Sequence, residues 1–248
     1  IRLYNIIGNI SLKALQNDSI NAQIKRLSLD EQSGFELQKL TMKILGNDRN
    51  LTIDNFTVKL PSTYLQMDTI RMSYDSLGAF QNFLTDVQFS LKVKPSLITL
   101  HDISPFVPVL EHFKENIDLE LRANGTIDQL NCPELTINSG NHLKVRGNVS
   151  LQDLSSPENA FIYGKLSYLT LNEEGVDFLI RNFSKEYSNT PDVLKRLGNV
   201  TFTGEISGYF NDLVTYGTFQ TGLGKVKSDV KVSSDKEKGI ISYSGGVK

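Results

Sequence analysis

The sequence predicts a mainly β fold, built as a long antiparallel meander. Apolar residues alternate with polar ones in many short runs, and this period of two gives each strand one apolar and one polar side. Short turn signals such as Asn124-Gly125 separate the runs. Such short connections join antiparallel neighbours, because parallel strands need long crossovers. We count roughly fourteen to sixteen strands at the usual spacing.

The stretch 117–154 shows this pattern most clearly. Three alternating runs follow one another, with turns at Asn124-Gly125 and at residues 138–141. Strands that each have one apolar side are expected to share one apolar face. The candidate members of that face are Leu119, Leu121, Leu143, Val145, Val149 and Leu151.

The part of the chain before this stretch predicts six more strands. The alternation changes phase between Ile24 and Leu27, and again between Ile53 and Phe56, and a phase change of this kind indicates a β-bulge. The predicted strands are Ile10–Ala14, Ile20–Leu29, Phe35–Leu45, Leu51–Leu60, Tyr64–Tyr74 and Asp86–Leu100.

Two to four short amphipathic helices interrupt the strands. In the two longer ones, Ser104–Phe113 and Asn172–Phe183, the apolar residues recur at i, i+3, i+4 and i+7, which places them on one side of a helix. Asn172 suits the N-cap position of one helix, and Glu173 and Glu174 follow it at the positive end of the helix dipole. The predicted helices are Ser104–Phe113, Asn172–Phe183 and Thr190–Leu197, with Leu77–Leu84 as a weaker candidate.

After Gly198 the chain returns to strands, predicted at Val200–Ile206, Val214–Gln220, Lys225–Ser233 and Ile240–Val247. No linker of low complexity divides the sequence. We therefore interpret residues 1–248 as one elongated β-rich segment of a longer protein. A weak boundary is predicted near 154–159, where the sequence reads Ser155-Ser156-Pro157.

Composition and motifs argue against several functions. The net charge of −2 and the lack of a basic block disfavour nucleic-acid binding. His101, His112 and His142 lie too far apart in sequence to form a metal motif, and the single Cys132 cannot form an internal disulfide. No nucleophile motif or phosphate-binding loop is present. We expect no enzyme, no cofactor and no metal site.

The apolar face is the feature left to explain. A sheet of this length must close, fold over or curl, because a flat sheet would leave one whole apolar face in water. A sandwich or barrel would bury that face as a filled core, whereas a half-folded trough would leave it lining a channel. Periodicity alone is compatible with both.

Three stretches resemble the repeats of the AsmA/TamB family of envelope proteins. These are residues 117–151, the strand and helix LSYLTLNEEGVDFL that begins at Leu166, and IKRLSLDEQSGFELQKL, which begins at Ile24. The resemblance implies a β-taco-like sheet curled into a U-shaped groove, in a periplasmic protein that is anchored in the inner membrane. It also implies a role in lipid transport between membranes or in outer-membrane assembly, without catalytic residues.

On this basis we expect a non-enzymatic segment whose apolar groove holds lipid acyl chains. The six candidate residues of the apolar face would line the groove, and an outer-membrane assembly protein would be a second partner. The alternative is a structural or adhesive β-repeat module with a filled core that binds a protein. Strand edges left open at the ends of the segment predict edge-to-edge self-association.

Overall fold

The computed structural model describes residues 2–16, 19–111, 113–156, 159–175, 198–209, 212–235 and 240–247. The chain divides into two compact units, Ile1–Thr126 and Ile127–Lys248. Each unit contains seven strands within the described residues. The weak boundary predicted near 154–159 lies in a connection between two strands of the second unit.

In the first unit, each strand pairs antiparallel with the strand that follows it in sequence. This is the predicted meander, with short turns from β1 to β5 and longer connections from β5 to β6 and from β6 to β7. The strands are β1 (Leu3–Gln16), β2 (Ser19–Glu31), β3 (Glu36–Gly46), β4 (Asn50–Lys59), β5 (Tyr64–Ser73), β6 (Gln88–Ile98) and β7 (Ile117–Gly125).

The second unit repeats the same arrangement, again with antiparallel pairing of consecutive strands. The fourteen described strands of the chain agree with the number expected from the sequence. The strands are β8 (Gln129–Ser139), β9 (Leu143–Gln152), β10 (Phe161–Leu171), β11 (Val200–Tyr209), β12 (Asp212–Thr221), β13 (Gly224–Asp235) and β14 (Ile240–Val247).

Both predicted bulges are confirmed. The pairing of β2 with β3 shifts between Ile24 and Leu27. The pairing of β3 with β4 shifts opposite residues 54–57, where Asn55 adopts a positive φ of 54°. An extra residue at each point turns the following side chains to the other side of the strand, so the apolar residues stay on one face.

The helix predicted over Ser104–Phe113 is wrong. The segment instead contains one 3-10 turn, at Pro108–Leu110, and another 3-10 turn precedes it at Leu100–Ile103. Pro108 cannot donate a backbone hydrogen bond and restricts the residue before it, so a continuous helix does not form. As a result Phe106 is 54% exposed whereas Phe113 is 5% exposed, and the two rings do not share one face.

The other helix predictions have different outcomes. The weaker candidate Leu77–Leu84 forms a 3-10 helix at Leu77–Asn82 that is followed by the four-residue α1 (Phe83–Asp86), instead of the single amphipathic helix that was predicted. Residues 173–175 are helical, and the Asn172 Oδ1 atom accepts a hydrogen bond of 2.9 Å from the Gly175 N–H, as expected of an N-cap. The rest of that helix and Thr190–Leu197 lie outside the described residues, so a count of two to four helices stays a prediction.

A small core closes one end of the first unit. Tyr74, Ala79 and Val87 are buried there, and Phe83 of α1 packs against them. The Tyr74 hydroxyl donates a 2.8 Å hydrogen bond to the Asn47 carbonyl, while burial of the ring raises the pKa of its phenol. The connection between β5 and β6 is thereby fixed to the end of the sheet.

Candidate functional site

The second unit carries a continuous apolar face. The register of β8 to β12 aligns the positions on the apolar side of neighbouring strands in rows across the sheet. Four of these rows run Leu130–Leu151–Ile162–Gly208–Leu213, Cys132–Val149–Gly164–Ile206–Thr215, Leu135–Gly147–Leu166–Gly204–Gly217 and Ile137–Val145–Leu169–Phe202–Phe219. None of these twenty positions carries a charge.

Side chains on this face are only partly covered. Val145, Val149 and Leu151 are half-buried, whereas Leu143 is 8% exposed. In the described part of the second unit, extensive contacts join strands that are neighbours in the sheet. Among the described residues, Val145 lies between Ile137 and Leu169 of its own row, and these cross-strand neighbours contribute to its partial cover.

The first unit has an apolar face of the same kind. Leu121 lies opposite Val93 on β6, and Leu119 lies opposite Ser96. The face continues through rows such as Leu40–Val58–Leu65 and Ile44–Ile53–Ile70. Leu119 and Leu121 are half-buried, like most of these residues.

The six predicted lining residues thus belong to two faces, one in each unit. Leu143, Val145, Val149 and Leu151 share the face of the second unit, and Leu119 and Leu121 lie on that of the first. All six are on the apolar side of their strands, as the alternation predicts.

The six residues are a minority of the apolar residues on these two faces. Residues on β4, β5, β11 and β12 also contribute, among them Phe56, Met67, Phe202 and Phe219. The alternation on β11 and β12 is uninterrupted in the sequence and would have identified Phe202 and Phe219 directly. Register shifts lie near Phe56 and Met67, so these two residues are identified only by following the phase across each shift.

Close backbone approach marks one row of the second unit. A Cβ atom placed on Gly147 would lie 2.4 Å from the Lys165 carbonyl oxygen of the next strand. The same test at Gly204 and Gly217 gives 2.3 Å to the nearest backbone oxygen. Phe202, which is 2% exposed, lies across these two glycines and contacts Phe219 with ring centroids 4.8 Å apart. Glycines in such positions allow strands to bend and approach closely.

In each unit, the side of the strands opposite the apolar face is polar. Lys165 faces Glu205 at 3.8 Å, Lys231 lies 2.8 Å from Asp212, and Thr69 donates a 2.8 Å hydrogen bond to Asp54. Contacts of this kind hold the pKa of Asp212 below its usual range, through hydrogen bonds from Lys231 and Ser233. The sheet is therefore amphipathic, with its charges confined largely to one side.

The histidines and the cysteine considered for catalysis or metal binding were also located in the structure where it describes them. The His101 Nδ1–H donates to the Glu111 carbonyl at 2.8 Å, and His142 Nε2 lies 3.2 Å from the hydroxyl of Ser139, which is fully buried. Cys132 is buried in the apolar face, and burial raises the pKa of its thiol. His112 lies outside the described residues.

The described ranges contain neither a cluster of metal ligands nor a membrane-spanning helix. No group of three or more potential metal ligands occurs there. None of the helices described is long and apolar enough to cross a membrane. An open pocket of about 710 Å³ lies beside the connection between β5 and β6, and its lining of Arg49, Asp75, Asp86 and neighbouring hydroxyl groups is mainly polar.

Comparison with known proteins adds no relative. No protein-family model matches the chain, and neither a curated protein nor a solved structure matches it. The resemblance to the AsmA/TamB family therefore stays a prediction.

Proposed function

We propose that this chain is a non-enzymatic segment of an AsmA/TamB-like envelope protein, and that its apolar sheet face holds lipid acyl chains. The role would be lipid transport between membranes or support of outer-membrane assembly. A periplasmic location, an inner-membrane anchor in the whole protein and an outer-membrane assembly partner belong to the same proposal.

The observation that carries this proposal is the incomplete burial of several large apolar side chains on a charge-free face. A filled core would bury these side chains almost completely and pack them against a second layer. In the described residues, Val145, Val149 and Leu151 instead keep part of their surface exposed. Transfer of an acyl chain onto such a surface is favourable by ~0.8 kcal/mol for each CH₂ group that becomes buried.

The glycine row supports a curled sheet. Gly147, Gly204 and Gly217 allow neighbouring backbones to approach more closely than any residue with a Cβ would permit. Curvature in sheets is introduced by bulges and glycines, and the chain has both. A curl along this row would form the floor of a U-shaped groove, with the lipid head groups left in water.

A charge placed on the face tests the proposal. Val145→Asp puts a carboxylate between Ile137 and Leu169, on the apolar side of β9. In an open groove water reaches the carboxylate, so we expect the protein to fold with a small loss of stability and to lose bound lipid. The control is Arg146→Asp, because Arg146 is exposed on the polar side of the same strand.

The measurements are thermal unfolding and mass spectrometry of lipids extracted from the purified proteins, together with binding of radiolabelled palmitate. In a filled core an unpaired carboxylate costs several kcal/mol, a large part of a domain's typical ~5–15 kcal/mol. Unfolding of Val145→Asp would therefore favour the structural or adhesive module. A folded mutant that binds as much lipid as the wild type would contradict the groove at Val145.

A further inference from the structure

The connection between β6 and β7 carries an exposed apolar segment at one end of the first unit. Residues 103–110 read ISPFVPVL and contain no charged residue. Ile103 is 36% exposed, Phe106 is 54% exposed and Val107 is 41% exposed. Their exposure is costly in water, since large apolar side chains are usually buried.

Hydrogen bonds hold the two ends of this segment to neighbouring parts of the first unit. The His101 N–H donates to the Phe113 carbonyl at 3.0 Å, which closes the loop, and Phe113 itself is 5% exposed. The Asp102 carboxylate accepts a 2.9 Å hydrogen bond from the Ser62 N–H, which ties the base to the turn between β4 and β5. The apolar residues at the tip are therefore held in place on a fixed support.

The segment is continuous with the apolar face of the same unit. The ring of Phe106 lies 4.9 Å from the ring of Phe35, centroid to centroid. Phe35 immediately precedes β3, whose Leu37 and Leu40 belong to that face. A lipid that enters the face at this end of the strands would pass the Phe106 ring.

We propose that residues 103–110 insert into the surface of a lipid bilayer and place this end of the acyl-binding face against the membrane. This inference rests on the proposed lipid-binding function. Short segments rich in aromatic and aliphatic residues enter the boundary between head groups and acyl chains, about 5–10 Å deep. The four residues of this segment described as exposed are far fewer than the roughly 20–30 residues that each partner contributes to a stable protein interface, so a bilayer fits better than a protein.

Charges near the segment specify the kind of membrane. Asp102, Glu111 and Glu115 flank it, against a single Lys114. Acidic flanks repel anionic head groups at low ionic strength, whereas a basic flank would attract them. The segment therefore binds zwitterionic bilayers in preference to anionic ones.

A single tryptophan tests the insertion, because the natural chain contains none. We expect the fluorescence of Val107→Trp to move to shorter wavelength with phosphatidylcholine vesicles, and to be quenched by lipids brominated close to the head group. The matched control is Leu223→Trp, in the turn between β12 and β13, where Leu223 is 77% exposed. Its emission should stay unchanged. Vesicles enriched in phosphatidylglycerol should bind Val107→Trp more weakly.

Three results would overturn the proposal. They are no shift for Val107→Trp, an equal shift for both tryptophans, or a shift that follows protein concentration without vesicles, which would indicate contact with a second copy. The double variant Phe106→Asp/Val107→Asp should bind vesicles about tenfold more weakly and still bind palmitate from solution. If Val145→Asp loses palmitate binding but still binds vesicles, the acyl-binding face and the membrane-binding segment are separate sites. If the wild type binds vesicles but no palmitate, only the proposed function is contradicted.

Discussion

The ring of Phe202 on β11 lies directly over Gly217 on β12, with its Cε2 atom 2.8 Å from the position that a Cβ on Gly217 would occupy. The glycine leaves the space that the ring fills, and Phe202 becomes one of the most deeply buried side chains described, whereas Val145, Val149 and Leu151 on the same face are half-buried. This pair fixes how closely the two strands approach each other.

Gly217→Ala is therefore expected to destabilise the protein by about 1–3 kcal/mol, the usual cost of overpacking. The new methyl group would meet the Thr203 carbonyl oxygen as well as the Phe202 ring, and backbone atoms cannot move aside cheaply. Chemical denaturation should show the loss. Gly246→Ala is the control, since a Cβ there meets nothing within 4 Å and stability should hardly change. Equal stability of the two variants would contradict the close approach at Gly217.

The Glu31 carboxylate is expected to make a pH-dependent contribution to the stability of the fold. The Ser33 hydroxyl and the backbone N–H groups of Ser33 and Arg2 donate to it, which lowers the pKa of Glu31 from 4.5 to about 2. A carboxyl group with a lowered folded-state pKa stabilises the protein above pH 4.5, and this contribution is lost as the pH falls from 4.5 to 2.

Ser33→Ala should accordingly lower the melting temperature near neutral pH, because the charged Glu31 carboxylate loses the hydrogen bond from the Ser33 hydroxyl. The difference from the wild type should shrink as the pH approaches 2, where the wild-type carboxyl also becomes protonated. Melting curves between pH 2 and pH 7 measure this. Ser90→Ala, at an exposed position on β6, is the control and should show no such trend. A difference that is constant over this pH range would contradict the assignment.

Cys132 should be protected from thiol reagents in the folded protein. The side chain is 6% exposed and burial raises the pKa of its thiol, so little of the reactive thiolate is present at neutral pH. Alkylation by iodoacetamide at pH 7 should be much slower in the native state than in denaturant. Similar rates in both states would show that the face opens readily at Cys132.

From the exposed edge of strand β1 we expect copies of the protein to associate with one another. Among the strands described, β1 pairs only with β2, so the outer edge of its backbone is unpaired. Unpaired edges with apolar side chains favour edge-to-edge contact. Six large apolar side chains of β1 are exposed, namely Leu3, Tyr4, Ile6, Ile7, Ile10 and Leu12.

Sedimentation at rising concentration should therefore show oligomers of the wild type. Ile7→Lys should reduce them, since Ile7 is 60% exposed and lysine on an edge strand opposes pairing. Leu223→Lys adds the same charge in a turn and should have little effect. A wild type that stays monomeric at millimolar concentration would argue against the open edge.

The sequence by itself determined the strands and their two sides. Alternation with a period of two is local, so it placed Val145 on the apolar side of β9 and Arg146 on the polar side without knowledge of any partner strand. The phase change between Ile24 and Leu27 indicated a bulge for the same reason. The cap at Asn172 was also readable, because its hydrogen bond to Gly175 spans only three positions.

The register between strands and the covering of the apolar faces were decided only by the tertiary structure. Phe202 meets Gly217 only because β11 pairs with β12 in one particular register, which depends on contacts between separate segments. The helix expected at 104–113 failed because Pro108 and the packing of Phe113 outweighed its apolar periodicity. Whether an apolar face has a second layer over it is likewise a property of the assembled sheet, since alternation looks the same in a filled core and in an open face.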